Sequence, residues 1–331
     1  MLCKPPCLRP GDTVGIIAPA SAPPDPGAID ASLAAVRQLG FVPKLAPHVR
    51  DRHGFLAGSD SARASDLMRM FLDDSVHAIL CVRGGYGTSR LLTPPSVTRR
   101  RKPFLDFGAI RRHPKIFIGY SDITSLHCAF LAHANLISFH GPMLNSDFVK
   151  ADMPEFTRAG FLRTLTSPAP PGSICQGYTG ATVEVLRSGR CRGRLIGGNI
   201  SLLCGTLATP SQPTFRNRIL LLEDVDELPY RFDRMLTQLL NAGLLQQLNG
   251  IAIGLNADCN DPKAAATTEY RQTLEDVLRE RLLPLKIPVV TGLPFGHVAH
   301  NATLPIGAMA ILDGKRGDLI IDEPVVSAPM A

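Results

Sequence analysis

The chain reads as an α/β protein, with an N-terminal domain on a parallel sheet and a C-terminal domain of mixed α+β character. Three observations predict this. In the first half, short apolar runs with the look of buried strands alternate with helical spacings. Residues 166–172, Thr-Ser-Pro-Ala-Pro-Pro-Gly, then interrupt the pattern with proline and small residues. Beyond them, strand patterns outnumber helical ones. The expected division is 1–165 for the first domain, 166–180 for a linker and 181–331 for the second, which suits a chain of 331 residues at roughly 150 per domain.

In chain order, residues 13–18 are an apolar run between Pro-Gly-Asp and Pro19, a strand. Residues 30–39 carry Leu33, Val36 and Leu39 at helical spacing, and Gly40 stops the helix. Residues 41–45 are a second strand, 59–71 a helix opened by Ser-Asp-Ser, and 77–82 a buried strand that runs into Arg83-Gly-Gly-Tyr-Gly87. Residues 115–119 are the next strand, and 122–133 a helix with Ile123, Leu126, Phe130 and Leu131 on its apolar face. After the linker, strands are expected at 182–186, 191–196, 218–222, 250–255 and 308–312. Helices are expected from Ile200 to before Pro210 and over 230–240.

Composition removes several functions. Of the formal net charge of +6, four units belong to one run, Arg99-Arg-Arg-Lys102. No tryptophan is present and no aromatic is interleaved with the run, so it reads as a solvated loop and nucleic-acid binding is rejected. The eight cysteines form no C-x-x-C pair and lack histidines at zinc spacing; they read as free thiols of a reducing compartment, and no metal or cofactor is expected. No run of about 18 apolar residues predicts a membrane span, and the N-terminus lacks a signal-peptide core, so the expected location is cytoplasmic.

The chemistry-bearing candidates sit where apolar strands end. In an open α/β sheet, ligands gather at the carboxyl ends of strands. Gly119-Tyr-Ser-Asp-Ile123 places Ser121 on a strand-to-helix turn, the geometry that exposes a nucleophilic hydroxyl. Ile123 stands where the usual motif has a second glycine, and helix capping by Ser121 or Asp122 is the alternative. The Gly84-Gly-Tyr-Gly87 loop lacks the third glycine of a dinucleotide site; it can donate N–H groups to an oxyanion or simply turn tightly. His297, in the turn-rich Gly292-Leu-Pro-Phe-Gly-His297, is the leading candidate base and His140 its competitor, while His127 and His133 read as packing or surface residues. Glu223 ends the very apolar run Ile219-Leu-Leu-Leu222, where a carboxylate must find a partner: a catalytic histidine, or an arginine such as Arg231 or Arg234. Asp224, Asp226 and Glu227 are expected to be more easily solvated.

Taken in order, these segments resemble the LD-carboxypeptidase family of serine peptidases, which includes muramoyltetrapeptide carboxypeptidase and the microcin C self-immunity peptidase. The motifs are residues 10–21, Arg83–Gly87, 114–124, His140-Gly-Pro142, Gly197-Gly-Asn199, Leu222-Glu-Asp224, Tyr230-Arg-Phe-Asp-Arg234, 292–297 and Leu304-Pro-Ile-Gly307. The resemblance implies a triad of Ser121 as nucleophile, His297 as base and acid, and Glu223 as its orienting carboxylate. It implies an oxyanion hole from the N–H groups of Gly85 and Asp122, an active site between the two domains, and a homodimer. The implied reaction releases a terminal D-amino acid, D-alanine, from a murein tetrapeptide in peptidoglycan recycling; cleavage of a peptidyl-nucleotide antibiotic is the alternative. Arg83 is a candidate contact for the substrate carboxylate. The chain departs from the family by about ten extra residues within 93–103.

Overall fold

A computed structural model describes residues 2–25, 27–93, 104–260 and 272–328. The basic run 99–102 and the rest of the extra segment from residue 94 lie outside the described residues.

The first half alternates strand and helix as its apolar runs require. β1 (Thr13–Ile17), α1 (Ala28–Gln38), β2 (Val42–Leu45), α2 (Asp60–Leu72) and β3 (Ala78–Cys81) are followed by α3 (Thr88–Leu91), α4 (Phe107–Arg112) and β4 (Ile116–Gly119). Then come α5 (Thr124–Ala129), β5 (Ser138–His140) and α6 (Glu155–Thr166). Ser59 proves to be the N-cap of α2, its side chain accepting the Ala62 N–H. Pro43 is tolerated in β2 because β2 is an edge strand with no ladder on its outer side. The helix expected over 122–133 is three pieces: a 3-10 turn at Ser121–Ile123, α5, and a π-helical turn at Phe130–Ala134 closed by left-handed Asn135.

The second half contains β6 (Gly172–Ser173), β7 (Glu184–Arg187), β8 (Arg190–Asn199), α7 (Ile200–Gly205), β9 (Arg218–Glu223) and α8 (Pro229–Asn241). It continues with β10 (Gly250–Leu255), α9 (Leu274–Leu282), β11 (Val289–Gly296), β12 (Leu304–Ile306), β13 (Met309–Asp313) and β14 (Asp318–Ile321).

Two sheets result. The first has the order β12-β5-β4-β3-β1-β2 and is parallel throughout except at β12, which runs antiparallel to β5 with Leu304 opposite His140. The second has the order β6-β14-β13-β8-β9-β10-β11-β7, with a parallel centre (β8 to β11) and antiparallel flanks. The sheets do not divide at the expected linker: β12 returns from the second half to complete the first sheet, and β6, within 166–180, edges the second.

Parallel strands covered on both faces are apolar along their whole length, and Ile116, Phe117 and Ile118 of β4 are fully buried. Phe117 packs edge-to-face on Phe130 at 4.8 Å and stacks on Phe71 at 6.3 Å. This cluster holds β4, and so the turn that follows it, against α2 and the π-helical turn. Phe117→Ala is expected to destabilise the protein by about 3–5 kcal/mol, read from the urea midpoint at constant m-value.

Candidate functional site

Ser121 follows β4 by two residues. Tyr120 is still extended, and Ser121 takes φ 65°, a left-handed conformation that costs a non-glycine residue of order 1–3 kcal/mol. The capping alternative does not hold, since neither the 3-10 turn nor α5 has a side-chain cap. Instead the turn is tied to the glycine loop. The buried Asp122 carboxylate accepts the Thr88 N–H at 2.8 Å, and the Thr88 hydroxyl donates to the Asp122 carbonyl. Burial pushes the Asp122 carboxyl up, and the Thr88 N–H bond works against that.

The loop is held so closely that only glycine fits. A Cβ on Gly84 would lie 2.8 Å from Ser121 Cβ and 3.0 Å from its Oγ. Gly85 has φ 110°, and the next N–H, of Tyr86, donates to Ser21 Oγ at 3.1 Å. The N–H of Asp122 belongs to the first turn of a helix, where donors have no intrahelical partner. The two donors expected for an oxyanion hole therefore come from segments in contact at Ser121. Arg83 is half-buried and donates to the Ala22 carbonyl at 3.5 Å, beside the same loop.

Glu223 is the last residue of β9 and is fully buried. His297 follows β11, is mostly buried, and its Nδ1 lies 2.7 Å from Glu223 Oε2. Gly296 makes the room, because a Cβ there would stand 3.0 Å from that oxygen. Burial pulls the imidazolium down, but the Glu223 hydrogen bond and charge outweigh it, and His297 sits above the ordinary imidazole range. The arginine alternatives for Glu223 are engaged elsewhere: Arg231 lies 3.8 Å from Glu227, and Arg231 and Arg234 both lie over the Tyr230 ring.

The two halves of the candidate site meet through Tyr120. Its ring stands edge-on to the His297 imidazole, centroids 4.9 Å apart. Glu223 and His297 are thus bonded to each other, and the imidazole lies against the ring of the residue that precedes Ser121. His140, the competing base, is fully buried between Tyr120 and Phe295, and burial holds it well below the ordinary imidazole range. His127 is a packing residue, bonded through Nδ1 to Ser138 Oγ and through Nε2 to the Gly119 carbonyl, both at 2.8 Å.

One expectation is corrected. Asp224 is not solvated: it is 4% exposed and accepts from Asn199 Nδ2, the Ser201 hydroxyl and the backbone N–H groups of Ser201 and Val225. Among the described residues, no group of three or more His, Cys, Asp or Glu is placed to hold a metal ion.

Residues 14–141 match the model of the LD-carboxypeptidase N-terminal domain, and residues 192–312 that of the C-terminal domain. The chain is 39% identical over 329 residues to a Bacillus subtilis protein named "Probable murein peptide carboxypeptidase", covering 97% of this chain and 95% of that one. It is 35% identical over 316 residues to the murein tetrapeptide carboxypeptidase of Pseudomonas aeruginosa, covering 92% and 94%. Among solved structures, muramoyltetrapeptide carboxypeptidase from Oxalobacter formigenes superposes with a TM-score of 0.78 at 31% identity, covering 96% of this chain and all of that one. Two matched domain models and relatives of this likeness over nearly the whole length place the chain in the LD-carboxypeptidase family.

Proposed function

We propose that this protein is a serine-type LD-carboxypeptidase that releases the terminal D-alanine of a murein tetrapeptide. The observation that carries the reading is the buried Glu223–His297 bond at 2.7 Å, set against the ring that precedes Ser121. A histidine whose Nδ1 is held by a carboxylate presents Nε2 as the proton acceptor, which is what a serine nucleophile needs.

In this mechanism Ser121 Oγ attacks the carbonyl of the scissile amide while His297 Nε2 takes its proton. The tetrahedral oxyanion is met by the N–H groups of Gly85 and Asp122. His297 returns the proton to the leaving nitrogen, D-alanine departs, and Ser121 carries the acyl group. Water, deprotonated by His297, then hydrolyses the ester. Glu223 keeps the imidazole in the tautomer with hydrogen on Nδ1 and stabilises the imidazolium. Arg83, beside the glycine loop, is the proposed partner of a substrate carboxylate. A homodimer in the cytoplasm is part of the same proposal. It is supported by the family's habit, by eight free thiols, and by the lack, among the described residues, of a helix long and apolar enough to cross a membrane.

D-Alanine release from murein tetrapeptide tests the reading. Ser121→Ala is expected to lower kcat by about 10⁴-fold or more with the urea midpoint retained. Turnover by that variant, or cleavage of an aminoacyl-nucleotide analogue with no D-alanine release by wild type, overturns it. Gly84→Ala, which drives a methyl into Ser121, is expected to lose activity far more than stability.

The pH profile is a separate check. Protonated His297 cannot accept the Ser121 proton, so kcat/KM falls as pH drops through a value above the ordinary 6.5. Glu223→Gln removes the charge that raises it; the acid limb then moves to lower pH while kcat falls. An acid limb unmoved by this substitution counts against Glu223 as the orienting carboxylate.

A further inference from the structure

A cavity of about 370 Å³ lies between the two halves of the chain, with Leu2, Leu131 and Asn135 on one side and Arg194, Gln212 and Arg218 on the other. That volume is within the range of small-ligand sites. β9 runs from Arg218 to Glu223, so the cavity sits at the end of this strand remote from the proposed catalytic carboxylate, roughly 16 Å along the backbone.

The cavity collects positive charge that the fold leaves unneutralised. Arg194 and Arg218 are partners in the β8–β9 register, so their side chains leave the same face of the sheet side by side. Like charges so placed repel. Arg194 is anchored, its Nη1 donating to the Gly307 carbonyl at 3.0 Å and to Glu323 Oε1 at 3.2 Å. Glu323 is shared: Oε2 accepts from Lys4 Nζ at 3.4 Å, and Oε1 also accepts the Met309 N–H at 2.8 Å. Arg218 is half-buried, and among the described residues its guanidinium has no hydrogen-bond or ion-pair partner. Burial, and then the charge of Arg194, pull it below the ordinary arginine range. For Lys4, Arg194 and Arg218 there is thus one carboxylate, Glu323, which leaves an excess of two positive charges. The neutral lining adds a donor, because Gln212 Oε1 is taken by the Ala208 N–H at 2.8 Å and its NH2 group remains to donate.

We infer that this cavity binds a small phosphate-bearing anion, held by Arg218 and Arg194 with Gln212 as a further donor. A guanidinium fork meets phosphate oxygens with two parallel N–H···O bonds, and a half-buried fork does so with less competition from water. Charge decides between anions. A phosphate monoester carries about −1.5 to −2 at neutral pH, close to the excess on the walls, whereas a single carboxylate offsets only half of it. Leu2 and Leu131 supply apolar wall for the carbon part of an organic phosphate. The bound anion touches both halves of the chain and relieves the repulsion between the arginines, so it stabilises the fold. The site lies apart from Ser121 and uses none of the triad, so the inference stands independently of the proposed reaction.

The test uses the full chain in phosphate-free buffer, with titration calorimetry and Tm as readouts. Inorganic phosphate and glycerol phosphate are the probes, succinate is the dicarboxylate alternative, and chloride at matched ionic strength controls for screening. The expected result is saturable binding of phosphate at one site per chain with a raised Tm, tighter binding of glycerol phosphate, and weaker binding of succinate. Arg218→Gln is expected to weaken phosphate about tenfold or more, while its urea midpoint without phosphate is held or raised, because a repulsion has been removed. Arg218→Lys keeps the charge but not the fork; it is expected to fold as wild type and to bind several-fold more weakly, which reads the proposal on its own. Arg216→Gln removes the same charge from an exposed position two residues away and is expected to leave binding unchanged. Overturning results are no saturable phosphate binding beyond the chloride control, equal losses in Arg216→Gln and Arg218→Gln, or succinate bound more tightly than phosphate. A urea midpoint lowered by Arg218→Gln with phosphate binding intact marks a purely structural arginine and also overturns it. So does competitive inhibition of D-alanine release by phosphate that Arg218→Gln does not relieve, since the anion then sits with the substrate.

Discussion

A carboxylate with none of its surface exposed stands at the end of β9, in the middle of a parallel run of buried strands. Leaving it unpaired there costs several kcal/mol, so the fold has to bring it a donor. That donor is His297, delivered by β11 from the far side of β10 and given room by the missing side chain of Gly296. The demand of Glu223 therefore holds the imidazole, and the imidazole touches the first half through the ring of Tyr120. The proposed catalytic geometry and the burial of this charge draw on the same bond.

The first sheet contributes the opposite kind of constraint. Ser121 is held in a strained left-handed turn, which persists because its surroundings over-determine it: Phe117 packs the strand before it, Thr88 grips Asp122 after it, and Gly84 fills the space beside it. One side of the site is thus organised by a charge that must be satisfied and the other by a backbone that must be clamped.

Much of this was legible in the sequence, for a physical reason. Strands buried on both faces, such as β1, β3, β4 and β9, are continuous apolar runs, and a polar residue at the end of one stands out, as Ser121 and Glu223 do. β5 and β12 were not legible: each has three residues, too few for a periodic pattern, and β12 becomes a strand only by pairing with β5, far behind it in the chain. The break in the helix after Ser121 left no clear periodic trace. Asp224 looked solvated because its partners, Asn199 and Ser201, lie more than 20 residues away in the chain and meet it only once β8 and β9 pair. The pairing of His297 with Glu223 rested on the family resemblance, since spacing left an arginine equally open.

The return of β12 to the first sheet also orders events during synthesis. The edge of β5 stays uncovered until a strand some 160 residues further along has left the ribosome, so the nascent first sheet presents an open pairing edge for about half of the chain's synthesis. His297 precedes that closing strand by only seven residues, and the base therefore arrives together with the cover. In the proposed mechanism a chain cut short before this point has the nucleophile and its clamp but no base, so incomplete products of translation would lack hydrolase activity.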